Sequence, residues 1–232
     1  MSNLYKIAGL IVEMNVGNRT VKQAEPYRFE GEAKPDITLI GTHEGYREGH
    51  PYLSYEECEY INTCREFCYK VLDFDGIVLH SSAVVVDGRA YLFSAASGTG
   101  KSTHTELWLK KFGDRAYILN DDKPVLRLID GVWYACGSPW SGKYDISKPA
   151  CVPLAGVAFL NRDTTNHIER YTGPMVAYEM LSQTLRHPNK LDQTITVLDK
   201  LVSQVPVWKL FCNMDPAAAE VSYNAMSGNV KE

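Results

Sequence analysis

The chain has 232 residues, 45% hydrophobic and 22% charged, and its 24 basic and 28 acidic side chains leave a net charge of −4. That composition suits a globular protein with a core of its own. A slightly acidic chain with no long basic run is not built for nucleic acid or an anionic membrane surface, and no apolar stretch reaches the roughly 20 residues of a membrane-spanning helix. The opening MSNLYKIAGLIVEMN does not read as a signal peptide, because Glu13 interrupts a short apolar run and no cleavage site follows a basic head. The expected location is therefore the cytoplasm. The six cysteines (Cys58, Cys64, Cys68, Cys136, Cys151, Cys212) contain no C-x-x-C pair. In a reducing compartment they read as small buried hydrophobes, and their spacing does not assemble a zinc site.

Residues 1–40 read as strands with turns. Ile7 to Val12 is one apolar run, Asn15 to Asn18 is a turn, and Asp36 to Ile40 is a second strand. Residues 41–53, GTHEGYREGHPYL, read as an exposed loop. Ser54 with Glu57 three residues later is a capping box, and Ile61, Cys64, Cys68, Val71 and Leu72 follow at helical spacing. Gly76 closes that segment. Ile77 to Leu79 and Ala83 to Val86, the turn Asp87-Gly88, and Ala90 to Phe93 form a strong hairpin signal. Leu107 to Phe112 extends a helix after a glycine-rich loop, and Tyr117 to Leu119 is a buried-type strand. Val125 to Ile129 and Val132 to Ala135 flank Asp130-Gly131 as a second hairpin, and Gly156 to Leu160 is a further strand. The C-terminal third reads as helical: Pro174 to about Arg186, an apolar stripe from Ile195 to Val205, and Asp215 through Ala225. The expected architecture is a mixed α/β fold, not a strict βαβ alternation. Residues 1–75 form a small β-rich segment plus helix packed on a core of residues 76–232.

Ser94-Ala95-Ala96-Ser97-Gly98-Thr99-Gly100-Lys101-Ser102-Thr103 carries the most chemistry. Glycines at 98 and 100 free the backbone to approach oxygen atoms closely. Successive N–H groups and the start of the following helix then attract an anion. Lys101 reaches the β- and γ-phosphates as a point charge, and the Ser102 hydroxyl can ligate Mg²⁺. The expected nucleotide contacts are Ser97, Gly98, Thr99, Gly100, Lys101, Ser102 and Thr103. The usual pattern is G-x-x-x-x-G-K-[ST], and Ala95 occupies its first glycine position here.

Phosphoryl transfer also needs metal ligands and a group to take the acceptor proton. Asn120-Asp121-Asp122 ends an apolar strand about 20 residues beyond Lys101. Adjacent side chains of an extended chain point to opposite sides, so one aspartate can support Mg²⁺ beside Ser102 while the other faces a hydroxyl. Which does which is open at this level. His80 lies at a strand end before the loop. Gly137-Ser138-Pro139-Trp140-Ser141-Gly142-Lys143 reads as a mobile loop that could set Lys143 on the transferring phosphate.

These residues resemble a family. His80 to Gly88, the S-G-T-G-K-S loop and Asn120-Asp121-Asp122 are similar to the catalytic domain of HPr kinase/phosphorylase. The loop also resembles a motif of phosphoenolpyruvate carboxykinase, which shares that fold. The resemblance covers residues 76–125 well and the rest in outline. It implies a P-loop-containing fold with a mixed sheet, hairpins and C-terminal helices. It also implies catalytic roles for His80, Lys101, Asp121 and Asp122, with one aspartate as general base on a serine and the pair supporting magnesium. A family signature after the aspartate pair is missing, and Lys143 stands in its region. About 75 residues precede His80, too few for the family's large N-terminal domain. The chain resembles the compact HPr-kinase-related proteins more than HPr kinase itself, and some of those phosphorylate serine in peptides or as a small molecule.

The expected function is a kinase using ATP and Mg²⁺ to phosphorylate a hydroxyl, most simply a serine of a peptide, protein or small molecule. Two alternatives stay open: a nucleotide-binding regulator with little catalysis, and a phosphotransferase using ADP or pyrophosphate. The acceptor could lie over the His43–His50 loop or the C-terminal helices. Family precedent favours a homo-oligomer.

Overall fold

The computed structural model describes residues 3–41 and 44–228. β1 (Leu4–Ile7) and β2 (Leu10–Met14) form an antiparallel hairpin, and β3 (Ile37–Leu39) joins β2 in parallel. The run Ile7 to Val12 is thus cut in two, because Ala8 and Gly9 turn the chain with positive φ. The turn expected at residues 15–18 instead leads into α1 (Asn18–Ala24), and part of the expected loop 41–53 is α2 (Glu44–Gly49). Thr42 and His43 lie outside the described residues. α3 (Tyr55–Val71) starts on the capping box: the Glu57 N–H donates to Ser54 Oγ (3.2 Å) and the Ser54 N–H to Glu57 Oε2 (2.8 Å). Its buried face carries Cys64, Phe67, Cys68 and Val71.

The central strands follow the sequence closely. β4 (Gly76–Leu79), β5 (Ser81–Val86) and β6 (Arg89–Ser94) lead into the glycine-rich loop and α4 (Lys101–Phe112). Then come β7 (Ala116–Asn120), β8 (Val125–Ile129), β9 (Val132–Cys136) and β10 (Cys151–Arg162). The C-terminal third departs from the all-helical expectation. α5 (Pro174–Gln183), α6 (Leu191–Gln204) and α7 (Ala217–Met226) are interleaved with β11 (His167–Arg170), β12 (Thr184–Leu185) and β13 (Val207–Cys212). A short apolar run such as Val207–Cys212 does not declare helix or strand by periodicity; its place beside β10 decides.

Among the described residues, ten strands make one mixed sheet with β12 and β7 at its ends. β10 is its hinge: its first residues pair antiparallel with β9, and the remainder pairs in parallel with β6 and β13. Alternating side chains send Val85, Leu92, Val157 and Phe159 to a face covered by α5 and α6. Val84, Tyr91, Phe93 and Ala158 face α4 and α7, including Trp108 and Met226. A third apolar cluster joins β1–β3 and α3 to Val78, Val125, Cys136 and Trp140. No helix among the described residues is long and apolar enough to cross a membrane.

The cysteine reading needs correction. Cys136 and Cys151, opposite each other in the β9–β10 register, form a disulfide, while Cys58, Cys64, Cys68 and Cys212 are buried free thiols. Strand register brings that pair together, and spacing in sequence does not show it.

Candidate active site

β6 delivers the chain to the glycine-rich loop, and α4 opens directly behind it at Lys101. Gly98 (φ 78°) and Gly100 (φ 121°) hold left-handed backbone that L side chains rarely adopt. Lys101 is buried, and its ammonium donates to the Ala95 carbonyl (2.9 Å). No carboxylate among the described residues forms an ion pair with it. Burial pushes this ammonium below the ordinary lysine range, against the pull of Asp122 and Asp121.

Asp121 and Asp122 leave β7 on opposite sides. Asp121 turns towards α4: Ser102 Oγ donates to its Oδ2 (3.1 Å) and Ser82 Oγ to its Oδ1 (2.7 Å). Burial raises its pKa, the two hydroxyls oppose that, and Asp122 adds to the rise. Asp122 meets His80 Nε2 at 3.4 Å and pairs with the Lys123 ammonium. Burial works against this carboxylate, yet the His80 hydrogen bond and Lys123 prevail and hold it at about 2. His80 is set in turn by Gln183, whose Oε1 lies 3.2 Å from Nδ1.

The turn carrying the two aspartates is tightly built. Buried Asn120 accepts through Oδ1 from the N–H groups of Asp122 (2.9 Å) and Lys123 (2.7 Å). Its Nδ2 donates to the Ser138 carbonyl (3.1 Å). Gly142 (φ 77°) sits against Asp122, where a Cβ would come within 2.8 Å of the aspartate's own Cβ. The segment 137–143 is more anchored than the sequence reading held. Trp140 is buried, lies tilted against the Phe67 ring (centroids 5.0 Å apart) and donates to Thr63 Oγ1 (3.2 Å). Lys143 follows at the exposed end of this segment, its ammonium over the Tyr144 ring.

His80, Ser97, Gly98, Gly100, Lys101, Ser102, Thr103, Asp121, Asp122 and Lys143 all line one open cavity of about 340 Å³. Of the residues expected there, Thr99 alone is absent from that lining; it lines a neighbouring cleft that shares Gly98, Gly100 and Thr103 with the first. Four partners escaped the sequence reading. Ser82, Lys123 and Gln183 brace the aspartates and His80, and Arg162 donates to the loop carbonyls of Thr99 (3.1 Å) and Gly98. Ser82 lies within the His80–Gly88 segment and Lys123 adjoins the aspartate pair, so both had a local signal; Arg162 and Gln183 had none.

The donors fit magnesium. Ser102 and Asp121 offer a hydroxyl and a carboxylate already sharing a hydrogen bond, and Mg²⁺ takes few protein ligands alongside water and phosphate oxygens. Among the described residues, no three His, Cys, Asp or Glu side chains gather into a fuller metal cage.

No protein-family model matches the sequence. No curated protein matches it either. Among solved structures, the Hpr(Ser) kinase/phosphatase from Coxiella burnetii is similar at 10% identity and a TM-score of 0.37, over 66% of this chain and 93% of that one. These values mark a distant structural relationship and nothing finer.

Proposed function

We propose that the chain is a phosphotransferase that uses ATP with Mg²⁺ and passes a phosphoryl group to a hydroxyl, within a P-loop fold like that of HPr kinase. The observation that carries this reading is the convergence on one cavity of a buried, carboxylate-free Lys101, the Ser102–Asp121 oxygen pair and a braced Asp122. In this scheme the loop N–H groups and Lys101 hold the donor's phosphates. Ser102 and Asp121 hold the metal, which when bound neutralises charge on the phosphate oxygens. Lys143, which lines the same cavity, supplies a further positive charge for the transferring group.

Asp122 orients the acceptor hydroxyl. A carboxylate held at about 2 is a weak base, but a loose transfer transition state asks chiefly for positioning. The proton can come to rest on the Asp122–His80 pair. Both residues also line an adjoining depression with Ser182, Gln183 and Thr184, which gives an acceptor a second approach to Asp122.

The test is phosphotransfer from Mg-ATP to free serine and serine peptides, with calorimetry of Mg-ATP binding. Lys101→Ala should abolish binding. Asp122→Asn should keep binding and lose about 100-fold or more in turnover, a usual scale for a positioned proton acceptor. Asp121→Asn should remove the Mg²⁺ dependence of binding. Full turnover in either aspartate variant would sink the reading.

A further inference from the structure

We infer that the Cys136–Cys151 disulfide is a thiol-exchange site, opened through Cys151 by a small anionic thiol, and that opening it loosens the segment that carries Lys143. The exchange chemistry stands by itself; only its effect on turnover rests on the phosphotransferase reading above. The two sulfurs are unequal. Cys136 is 0% exposed and packed in the apolar cluster of β1–β3 and α3. Cys151 is exposed and lines an open cavity of about 480 Å³, within the roughly 300–1,000 Å³ of small-molecule sites. Exchange needs access to the attacked sulfur, so attack falls on Cys151. Lys6 and Arg28 line the same cavity, Arg28 being paired with Glu25, and no Asp or Glu among the described residues lines it. That lining favours a thiol of net negative charge. Its thiolate attacks Cys151 Sγ, the Cys136–Cys151 bond breaks, and Cys136 Sγ takes the bonding pair and a proton. The product is a mixed disulfide on Cys151 and a buried Cys136 thiol. A second thiolate then attacks the small thiol's sulfur, Cys151 leaves and takes up a proton, and the small thiol departs as its own disulfide.

The bridge sits where exchange has a consequence. Cys136 ends β9 and Cys151 opens β10, so the disulfide closes the neck of residues 137–150. That connection meets the aspartate turn at several points. The Ser138 carbonyl accepts from Asn120 Nδ2 (3.1 Å), Gly142 lies against Asp122, and Lys143 lines the cavity beside that aspartate. Tyr27, which lines the thiol's cavity, hydrogen-bonds Ser147, whose Oγ donates to the same Ser138 carbonyl (2.8 Å). With the bridge open, the neck keeps the bond from the Gly137 N–H to the Ala150 carbonyl (2.9 Å) but loses its covalent tie. The chain between then gains conformational freedom, and Lys143 loses its fixed place. The glycine-rich loop hangs on β6 and α4 and keeps its geometry.

The experiment takes the full oxidised chain, with glutathione as the anionic thiol and 2-mercaptoethanol as the neutral one. Alkylation and mass spectrometry should find the first glutathione adduct on Cys151, with Cys136 a free thiol. In the reduced chain, amide hydrogen exchange over 137–150 should quicken about tenfold, and exchange over 97–103 should not change. Mg-ATP affinity should stay within about threefold, while transfer to serine falls about tenfold and returns on reoxidation. Lys6 is exposed, and Lys6→Glu should slow glutathione about threefold at low ionic strength and leave 2-mercaptoethanol unaffected. Cysteines 136 and 151 that stay thiols under oxidant, a first adduct on Cys136, or unchanged hydrogen exchange over 137–150 overturns the inference. Slowing of both thiols alike, or of neither, overturns the choice of an anionic thiol. Should Lys6→Glu not fold, added salt on wild type decides that point, since it should slow glutathione alone. Equal turnover in both redox forms overturns the link to the candidate site. If neither form transfers phosphate, the phosphotransferase reading fails, and the adduct and the hydrogen exchange decide this inference by themselves.

Discussion

Buried ionisable side chains set the residue-scale energetics. His104 accepts no charge easily: burial drops its pKa from an ordinary 6.5 to about 4. Around it, Trp108 Nε1 donates to Ser222 Oγ (2.9 Å), and His104 Nε2 lies 3.0 Å from the same hydroxyl. The sign follows from proton counting. Between pH 6.5 and 4 the unfolded chain binds a proton at this histidine that the folded chain does not, so stability rises with pH through that window. Its contribution is complete above 6.5 and shrinks by about 3 kcal/mol on falling to 4. Asp122 acts in a lower window. Held at about 2 against an ordinary 3.8, it favours the folded state above 3.8 and loses that advantage as pH falls towards 2. Urea unfolding of wild type should therefore weaken from pH 7 to 4.5, and His104→Gln should flatten much of that slope. An unchanged slope would mean other groups carry it.

Helices and strands show what single bonds at their ends are worth. The Ser54–Glu57 box at the start of α3 satisfies two N–H groups, and Ser54→Ala should cost about 1 kcal/mol. In a chain of this size that lowers Tm by roughly 2–4 °C. The Cys136–Cys151 bridge closes a 15-residue separation and should contribute about 3 kcal/mol. Cys151→Ser, compared with oxidised wild type by thermal unfolding, should fall by roughly 6–12 °C; a drop absent under oxidising conditions would show that the bond does not form in solution. These two features also mark what sequence can and cannot give. The capping box was legible because its residues are three apart. The disulfide was not, because it depends on which residues of β9 and β10 face each other. β13 was hidden likewise: its apolar run takes its identity from pairing with β10 and β11. The glycine-rich loop was legible because its glycines, lysine and hydroxyl sit at fixed local offsets. Arg162 reaches that loop across 63 positions and Gln183 reaches His80 across 103, and no local pattern carries such contacts.

At the scale of the whole molecule, the N-terminal elements hold part of the candidate site. The Gly142 N–H donates to Tyr60 Oη (3.2 Å), and Arg19 from α1 donates to the Gly142 carbonyl (3.3 Å) while lying over the Tyr60 ring. Trp140 is buried against Phe67 and Thr63 of α3. Residues far apart in sequence thus fix both flanks of the glycine that touches Asp122 and precedes Lys143. If Lys143 stabilises charge on the transferring phosphate, Lys143→Met should lower turnover by about 100-fold, the scale for losing one such group, with nucleotide affinity little changed. Tyr60→Phe removes only the hydroxyl that receives the Gly142 N–H. It should cost about 1 kcal/mol in stability and lower turnover with a smaller effect on nucleotide binding. The two losses should not add, because both act through the placement of one ammonium. A double-mutant cycle on turnover checks this: Tyr60→Phe should have little further effect once Lys143 is methionine. Full additivity would mean that α3 supports the site through Asp122 or the fold at large, and that Lys143 acts free of the N-terminal elements.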